Sequence, residues 1–172
     1  MTYHRRSINT MIDYSEILFR LLSAVIIGCV IGLDRNLHGK PTGTKTLGLV
    51  ALGSALVTMA GMDFAISDGD YDRASVSRVI QGVITGVGFL GAGVIIHDKI
   101  SDRVFGLTTA ASIWVTSALG IVCSMGLWQI AGVAVVMVLL LFIVGRPVER
   151  ILHRKWLNKS AEERRDIDRL EE

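Results

Sequence analysis

The chain has 172 residues, 51% of them hydrophobic, with a mean hydropathy of +0.49 and a formal net charge of only +2. That hydrophobic share is high for a soluble domain, and with so small a net charge the location of the charges says more than their sum. The apolar residues fall in long blocks, 18–33, 47–62, 79–96, 107–125 and 127–144, each close to the ~20 residues that a helix needs to cross a bilayer. Buried helices of soluble folds are usually shorter or carry a polar face, and the alternation that a β-barrel requires is absent. The pattern predicts an all-α integral membrane protein with five transmembrane helices. It divides the chain into an external N-terminal segment (1–16), a five-helix domain (17–145) and a basic cytoplasmic juxtamembrane tail (146–172).

No cleavable signal peptide is read at the N-terminus, whose first residues are polar. Orientation follows from the basic residues. Most of the 18 Lys and Arg lie in the 34–45 turn, the 97–106 turn and the tail after Gly145. The other side holds Arg5, Arg6, Arg20, Arg73 and Arg78. This places the C-terminus in the cytoplasm and the N-terminus outside. Arg20 and Arg78, near the outer ends of spans one and three, are expected to clamp to Asp13, Asp63 or Asp72. Cys29 and Cys123 fall at different depths in their spans, so both read as small buried residues and no disulfide is expected.

Between spans one and two lies the most polar short stretch, Asp34 to Lys45. Pro41 fixes its own φ, and Gly39 and Gly43 permit tight reversals, which predicts an ordered turn. Asp34, Arg35, Lys40, Pro41, Gly43 and Lys45 are the candidate recognition residues, with the Asp34 carboxylate expected to pair with Lys40 or Lys45. Such a turn could bind an anion, a lipid phosphate or a partner protein, or serve only as a topology signal.

A shift of 58 residues superposes Arg20, Val25, Ile26 and Gly28 on Arg78, Val83, Ile84 and Gly86. It also superposes Gly48, Leu49, Ser54, Val57, Thr58 and Ala60 on Gly106, Leu107, Ser112, Val115, Thr116 and Ala118. Spans one and two then form a parallel two-helix repeat with spans three and four, and the fifth helix is an anchor. Span three carries Gly82, Gly86, Gly88, Gly91 and Gly93. Glycines on several faces point to a central, closely packed helix, and the Gly82/Gly86 pair to a homodimer contact; the alternative is a helix interrupted to make a binding site. Span four carries Thr108, Thr109, Ser112 and Thr116. Thr109, Ser112 and Thr116 share a face, which serves helix packing or lines a polar path. Trp114, at mid-span, is expected inside the bundle.

Span five is uniformly aliphatic and reads as lipid-facing, with Pro147 after Gly145 as its stop. In the tail, Val148, Ile151, Leu152, Trp156 and Leu157 make a narrow apolar stripe among Arg150, Arg154, Lys155 and Lys159, as expected of an amphipathic helix on anionic lipid. The four histidines show no metal-ligand spacing, and no span holds a mid-membrane carboxylate. No catalytic residue, metal site or cofactor is therefore assigned. No phosphate loop or nucleic-acid module is visible.

Three stretches carry a family resemblance. Gly32-Leu33-Asp34-Arg35 followed by Gly39-Lys40-Pro41-Thr42-Gly43-Thr44-Lys45-Thr46 resembles the first signature of the bacterial MgtC/SapB family. Gly86-Val87-Gly88-Phe89-Leu90-Gly91-Ala92-Gly93-Val94-Ile95 is similar to its second. Gly106-Leu107-Thr108-Thr109-Ala110-Ala111, with Trp114-Val115-Thr116 and Ala118-Leu119-Gly120, is similar to its third. Asp34 stands where Glu is common, and Thr42 and Thr44 where Ala and an aliphatic residue are common. The resemblance implies a multi-pass inner-membrane protein with the 34–45 turn in the cytoplasm. It also implies a role in Mg²⁺ or acid stress, and a membrane-protein partner that in some members is the proton-translocating ATP synthase. The soluble C-terminal regulatory domain of virulence-type members is not found, so a short form is expected. The resulting expectation is a non-enzymatic regulator acting on partner membrane proteins; the alternative is a transporter or channel for an ion or small solute.

Overall fold

Within a bilayer each backbone N–H and C=O must be satisfied inside its own segment, so long apolar blocks become helices. The computed structural model describes residues 14–64, 66–67, 70–99 and 103–157. They form α1 (Tyr14–Leu37), α2 (Thr44–Phe64), α3 (Arg73–Gly93), α4 (Leu107–Ser124) and α5 (Trp128–Leu157). Each holds a stretch long and apolar enough to cross a membrane, so the chain is an all-α membrane protein with five candidate spans. Two antiparallel ribbons, invisible to the hydropathy pattern, sit in the connections. β1 (Ile66–Ser67) pairs with β2 (Asp70–Tyr71) between α2 and α3, and β3 (Ile96–Asp98) pairs with β4 (Arg103–Phe105) between α3 and α4.

Residues up to Val133 form one compact unit, and those from Ala134 a second. In the first unit α1 packs on α2, α3 packs on α4 and α2, and α4 also packs on both α1 and α2. The core at their meeting is built from small side chains, Ala24, Ala51, Ala55, Cys123 and Ala131, ringed by Leu21, Ile27 and Val122. Small residues are what let helix backbones approach where lipid supplies no hydrophobic drive. A Cβ at Gly28 would lie 2.5 Å from the Leu47 carbonyl oxygen, and one at Gly32 would lie 2.6 Å from the Thr44 Cα. One at Gly120 would overlap the Ala51 carbonyl. These three glycines, rather than those of span three, set the helix spacings.

The central helix is α4, not the glycine-rich α3. In α4's span 56% of residues are buried, against 17% in that of α3. A Cβ at Gly82, Gly86, Gly88 or Gly93 would meet nothing within 4 Å, and only Gly91 abuts a neighbour, Ala110. The packing role expected of the α3 glycines therefore holds inside this chain for Gly91 alone. Helix α3 is also continuous through Gly88–Gly93, which removes the interrupted-helix alternative. Trp114 is 47% exposed on the outer side of α4 rather than inside the bundle, because the inner face of α4 is taken by its hydroxyl residues.

The sequence repeat keeps its hairpin topology but not its faces. Ala24, Gly28, Ile31, Gly32 and Arg35 form the buried side of α1. Their counterparts in α3, Gly82, Gly86, Phe89, Leu90 and Gly93, are all exposed. Helix α3 instead buries Val76, Val87 and Gly91.

In the second unit, Val136, Met137, Leu140, Leu141, Ile143 and Val144 are exposed in an aliphatic surface suited to lipid. The stretch apolar enough to span ends at Gly145, as expected, but Pro147 does not end the helix, since α5 continues to Leu157 with Pro147 inside it. A proline removes one N–H donor, and a long helix can continue past that single missing bond. The side chains of the expected amphipathic stripe beyond Val148, the residues after Leu157 and those before Tyr14 lie outside the described residues.

Candidate functional site at the 34–45 turn

Ala24, Gly28 and Ile31 follow one another at helical spacing on α1, and Arg35 is the next residue on that line. Its side chain is consequently carried into the bundle, where the residue is 3% exposed. Nε and Nη2 both donate to the Pro41 carbonyl oxygen, at 3.3 and 3.1 Å. Nη1 donates to Ser112 Oγ at 3.2 Å, and Nη2 also donates to Thr109 Oγ1. Ser112 passes its own hydroxyl hydrogen back to the Thr108 carbonyl at 2.7 Å. One guanidinium thus binds the turn to α4. This placement differs from the exposed recognition role expected of Arg35; a planar fork of five donors is suited to several acceptors at once.

Around it the turn is ordered by local bonds. The N–H groups of His38 and Lys40 both donate to the Arg35 carbonyl, at 3.2 and 3.0 Å, and Gly39 N–H donates to that of Asn36 at 3.1 Å. Gly39 takes the left-handed conformation usual after a helix C-terminus, with φ 61°. Thr42 also has a positive φ, 63°, a strained setting for a β-branched residue. At Gly43 an added Cβ would overlap the Asn36 amide, so a side chain there would have to displace that exposed group. That amide donates to Thr44 Oγ1 at 3.0 Å.

The Asp34 carboxylate lies 3.7 Å from His38 Nδ1, its neighbour one helical turn on. It does not pair with Lys40 or Lys45, both of which are exposed and make no ion pair among the described residues. Lys40 lies past the helix end and Lys45 on the first turn of α2, so neither shares a helix face with Asp34. A cavity of about 350 Å³ opens beside the turn, lined among others by Arg35, Lys40, Pro41, Phe105, Leu107 and Thr109. Gly106, at φ 92°, caps α4 there without any side-chain hydrogen bond.

From this cavity a hydroxyl seam runs along α4. Thr109, Ser112, Thr116 and Ser117 are all buried, whereas Thr108 faces out. Ser117 Oγ meets Ser54 Oγ at 2.7 Å, and Thr58 Oγ1 bonds the Ser54 carbonyl at 2.8 Å. Thr116 Oγ1 is buried without a hydrogen-bond partner among the described residues. At the far end of α4, Arg20 Nη1 donates to the Ser124 carbonyl at 2.8 Å, and Arg20 Nε to Glu16 Oε1 at 2.6 Å. Arg78 Nη2 lies 3.5 Å from Asp72 Oδ2, the pairing expected for it. The Ser75 hydroxyl and the Ala74 N–H hold the Asp72 carboxyl below its usual range. No group of three or more His, Cys, Asp or Glu among the described residues is placed to hold a metal ion.

Two features escaped the sequence reading although their spacing carried them. Gly28 and Gly32 form the small-x-x-x-small pair that α1 uses against α2. Arg35 lies seven residues beyond Gly28 on the same stripe, which is the mark of a buried cation.

A profile of the MgtC family matches residues 21–151. Protein SrpB of Synechococcus elongatus is 44% identical over 159 residues, covering 87% of this chain and 84% of SrpB. An Escherichia coli K12 relative named "Putative magnesium transporter YhiD" is 39% identical, covering 76% of this chain and 60% of YhiD. Protein MgtC of Salmonella paratyphi A is 30% identical, covering 86% of this chain and 60% of MgtC. The chain thus spans less than two thirds of those last two relatives. No solved structure matches it. With its three glycine- and threonine-rich signatures set in five apolar helices, this bacterial membrane protein belongs to the MgtC family.

Proposed function

We propose that the protein is a non-enzymatic membrane regulator in Mg²⁺-related adaptation, acting by contact with a partner membrane protein at the end that carries the 34–45 turn. The observation that carries this reading is the Arg35 clamp. Its guanidinium is spent on Pro41, Thr109 and Ser112, which fixes the turn against α4 and leaves Lys40 and Lys45 outward. An ordered cationic face loses little entropy when a partner docks. The positive-inside asymmetry supports a cytoplasmic position for this face. The Mg²⁺ connection is supported by the family and by the wording of the YhiD name. A transporter remains the second reading, favoured by one observation: the buried Thr116 hydroxyl on the α4 seam, which has no hydrogen-bond partner among the described residues.

The full chain in liposomes, loaded with a Mg²⁺-sensitive dye, separates the two. The regulator reading expects no flux above empty liposomes, together with a photo-reactive probe at His38 crosslinking one membrane protein in cells. Saturable flux that is lost in Thr116→Val would overturn it.

A further inference from the structure

We infer that the cavity between the 34–45 turn and the start of α4 binds a phosphate group, presented by an anionic lipid headgroup or free in solution. The site belongs to the chain's own chemistry and stands whether the protein regulates or transports.

Positive charge converges on the cavity from three sources. The Arg35 guanidinium forms its inner wall, held there by carbonyl and hydroxyl acceptors. Lys40 lines the outer wall, and its ammonium makes no hydrogen bond or ion pair among the described residues. The third source is α4 itself. Its first N–H groups, at Leu107, Thr108 and Thr109, have no carbonyl one turn back to bond, and Gly106 brings no side chain to cap them. An 18-residue helix also concentrates a positive partial charge at this end. Oriented backbone N–H groups beside two cations are a setting for a tetrahedral oxyanion.

Among the described residues no carboxylate lines the cavity. Asp34 is turned toward His38, and Asp98 stands in register with Arg103 at the far end of the ribbon. The volume, about 350 Å³, equals that of about twelve waters at ~30 Å³ each, ample for a phosphate with part of its glycerol. The mouth is apolar: Val104, Phe105 and Leu107 are each half exposed or more. A free anion has no use for such a rim, whereas a lipid whose headgroup enters the cavity lays its glycerol and first methylenes across it. The cavity lies at the start of the α4 span, where headgroups are found.

The test uses the full chain in detergent, titrated with phosphatidylglycerol and followed by native mass spectrometry, with phosphatidylcholine as the zwitterionic control. One saturable phosphatidylglycerol adduct is expected. Lys40→Gln, an exposed change that breaks no bond, is expected to weaken it about five-fold, since one basic residue near an anionic lipid contributes ~1 kcal/mol. Lys45→Gln removes the same charge from the first turn of α2, outside the cavity, and is expected to leave the affinity within about two-fold. Competition by inorganic phosphate assigns recognition to the phosphate alone. Failure of inorganic phosphate to compete, with the Lys40 effect present, assigns it to the lipid. Equal weakening by both variants, or no saturable adduct with phosphatidylglycerol or inorganic phosphate, overturns the inference.

Discussion

Replacing Arg35 tests whether a buried cation organises the turn. In Arg35→Met the Pro41 carbonyl, on an exposed residue, can turn to water. Thr109 and Ser112 cannot, at 3% and 4% exposure. Hydrogen bonds to a charged group contribute ~1.5–3 kcal/mol each, so the two buried acceptors account for roughly 3–6 kcal/mol gross. Methionine refunds part of this, because the guanidinium no longer has to be desolvated, a cost of several kcal/mol for a buried ion. Ser112 also keeps its own bond to the Thr108 carbonyl. The net expectation is a loss of about 2–3 kcal/mol. Arg35→Lys is expected to be no better, since an ammonium stays buried but cannot span acceptors on both the turn and α4. Unfolding of the full chain in mixed micelles measures the global change. Hydrogen exchange at the Lys40 amide, which bonds the Arg35 carbonyl at 3.0 Å, measures the local one. If the turn is released from α4 by that free energy, this amide exchanges roughly 30- to 150-fold faster, at 1.4 kcal/mol per tenfold. A global change under ~0.5 kcal/mol together with unaltered exchange at Lys40 would refute the clamp.

The glycines divide into two classes with opposite expected signs. Gly28→Ala, which brings a Cβ to 2.5 Å from the Leu47 carbonyl oxygen, is expected to cost about 1–3 kcal/mol by overpacking. Gly88→Ala meets nothing within 4 Å and should gain ~0.5–1 kcal/mol of helix propensity; thermal unfolding that gives the reverse order rejects the assignment of spacing glycines. Thr116→Val removes a buried hydroxyl that has no partner among the described residues and is expected to stabilise by ~1 kcal/mol, whereas Thr58→Val loses its bond to the Ser54 carbonyl and is not. Destabilisation by Thr116→Val would mean that the hydroxyl holds something in the membrane. Asp72 has a folded pKa below its usual 3.8, so its contribution to the start of α3 is full above that value and fades as pH falls through the lower folded one. First-turn amide protection should therefore be flat down to about pH 4 and drop below it. Asp72→Asn, which retains a capping oxygen, should abolish the drop.

What could be read from the residues tracks the range of the physics involved. The five spans were legible because bilayer thickness and backbone desolvation act on each segment alone. Ordering of the turn was legible for the same reason, since the left-handed Gly39 needs only its neighbours. The choice of central helix was not local. Helix α3 has more glycines than α4, yet glycine marks a close approach only where a second helix arrives, and composition cannot say where that is. The 58-residue repeat misled in the same way, since equal residues at Gly28 and Gly86 meet a packed neighbour in one case and open space in the other. Arg35 was misplaced because its charge was weighed before its register. Read by register, it continues the Ala24, Gly28, Ile31 stripe, and the hydroxyls it needs stand at Thr109 and Ser112 on the one face of span four where they recur.

The two arginines of α1, one toward each end, answer one another. Arg20 reaches the Ser124 carbonyl and Arg35 reaches Thr109 and Ser112, so α1 and α4 run antiparallel and are stapled near both ends. The interval from Arg20 to Arg35 along α1 equals that from Thr109 to Ser124 along α4, about 22 Å at ~1.5 Å per residue. Equal intervals let both staples close without bending either helix. A slip of one residue would break both at once and would also drive Gly28 and Gly32 off the α2 backbone. The cost of placing cations at the ends of a span is thereby converted into register. The face presented by the turn, its two outward lysines and the mouth of the cavity inherit their positions from that register. Perturbing Arg20 at the opposite end should for this reason reach the turn through α1, and a change in Lys40 amide exchange in Arg20→Leu would show the two ends coupled through a rigid pair of helices.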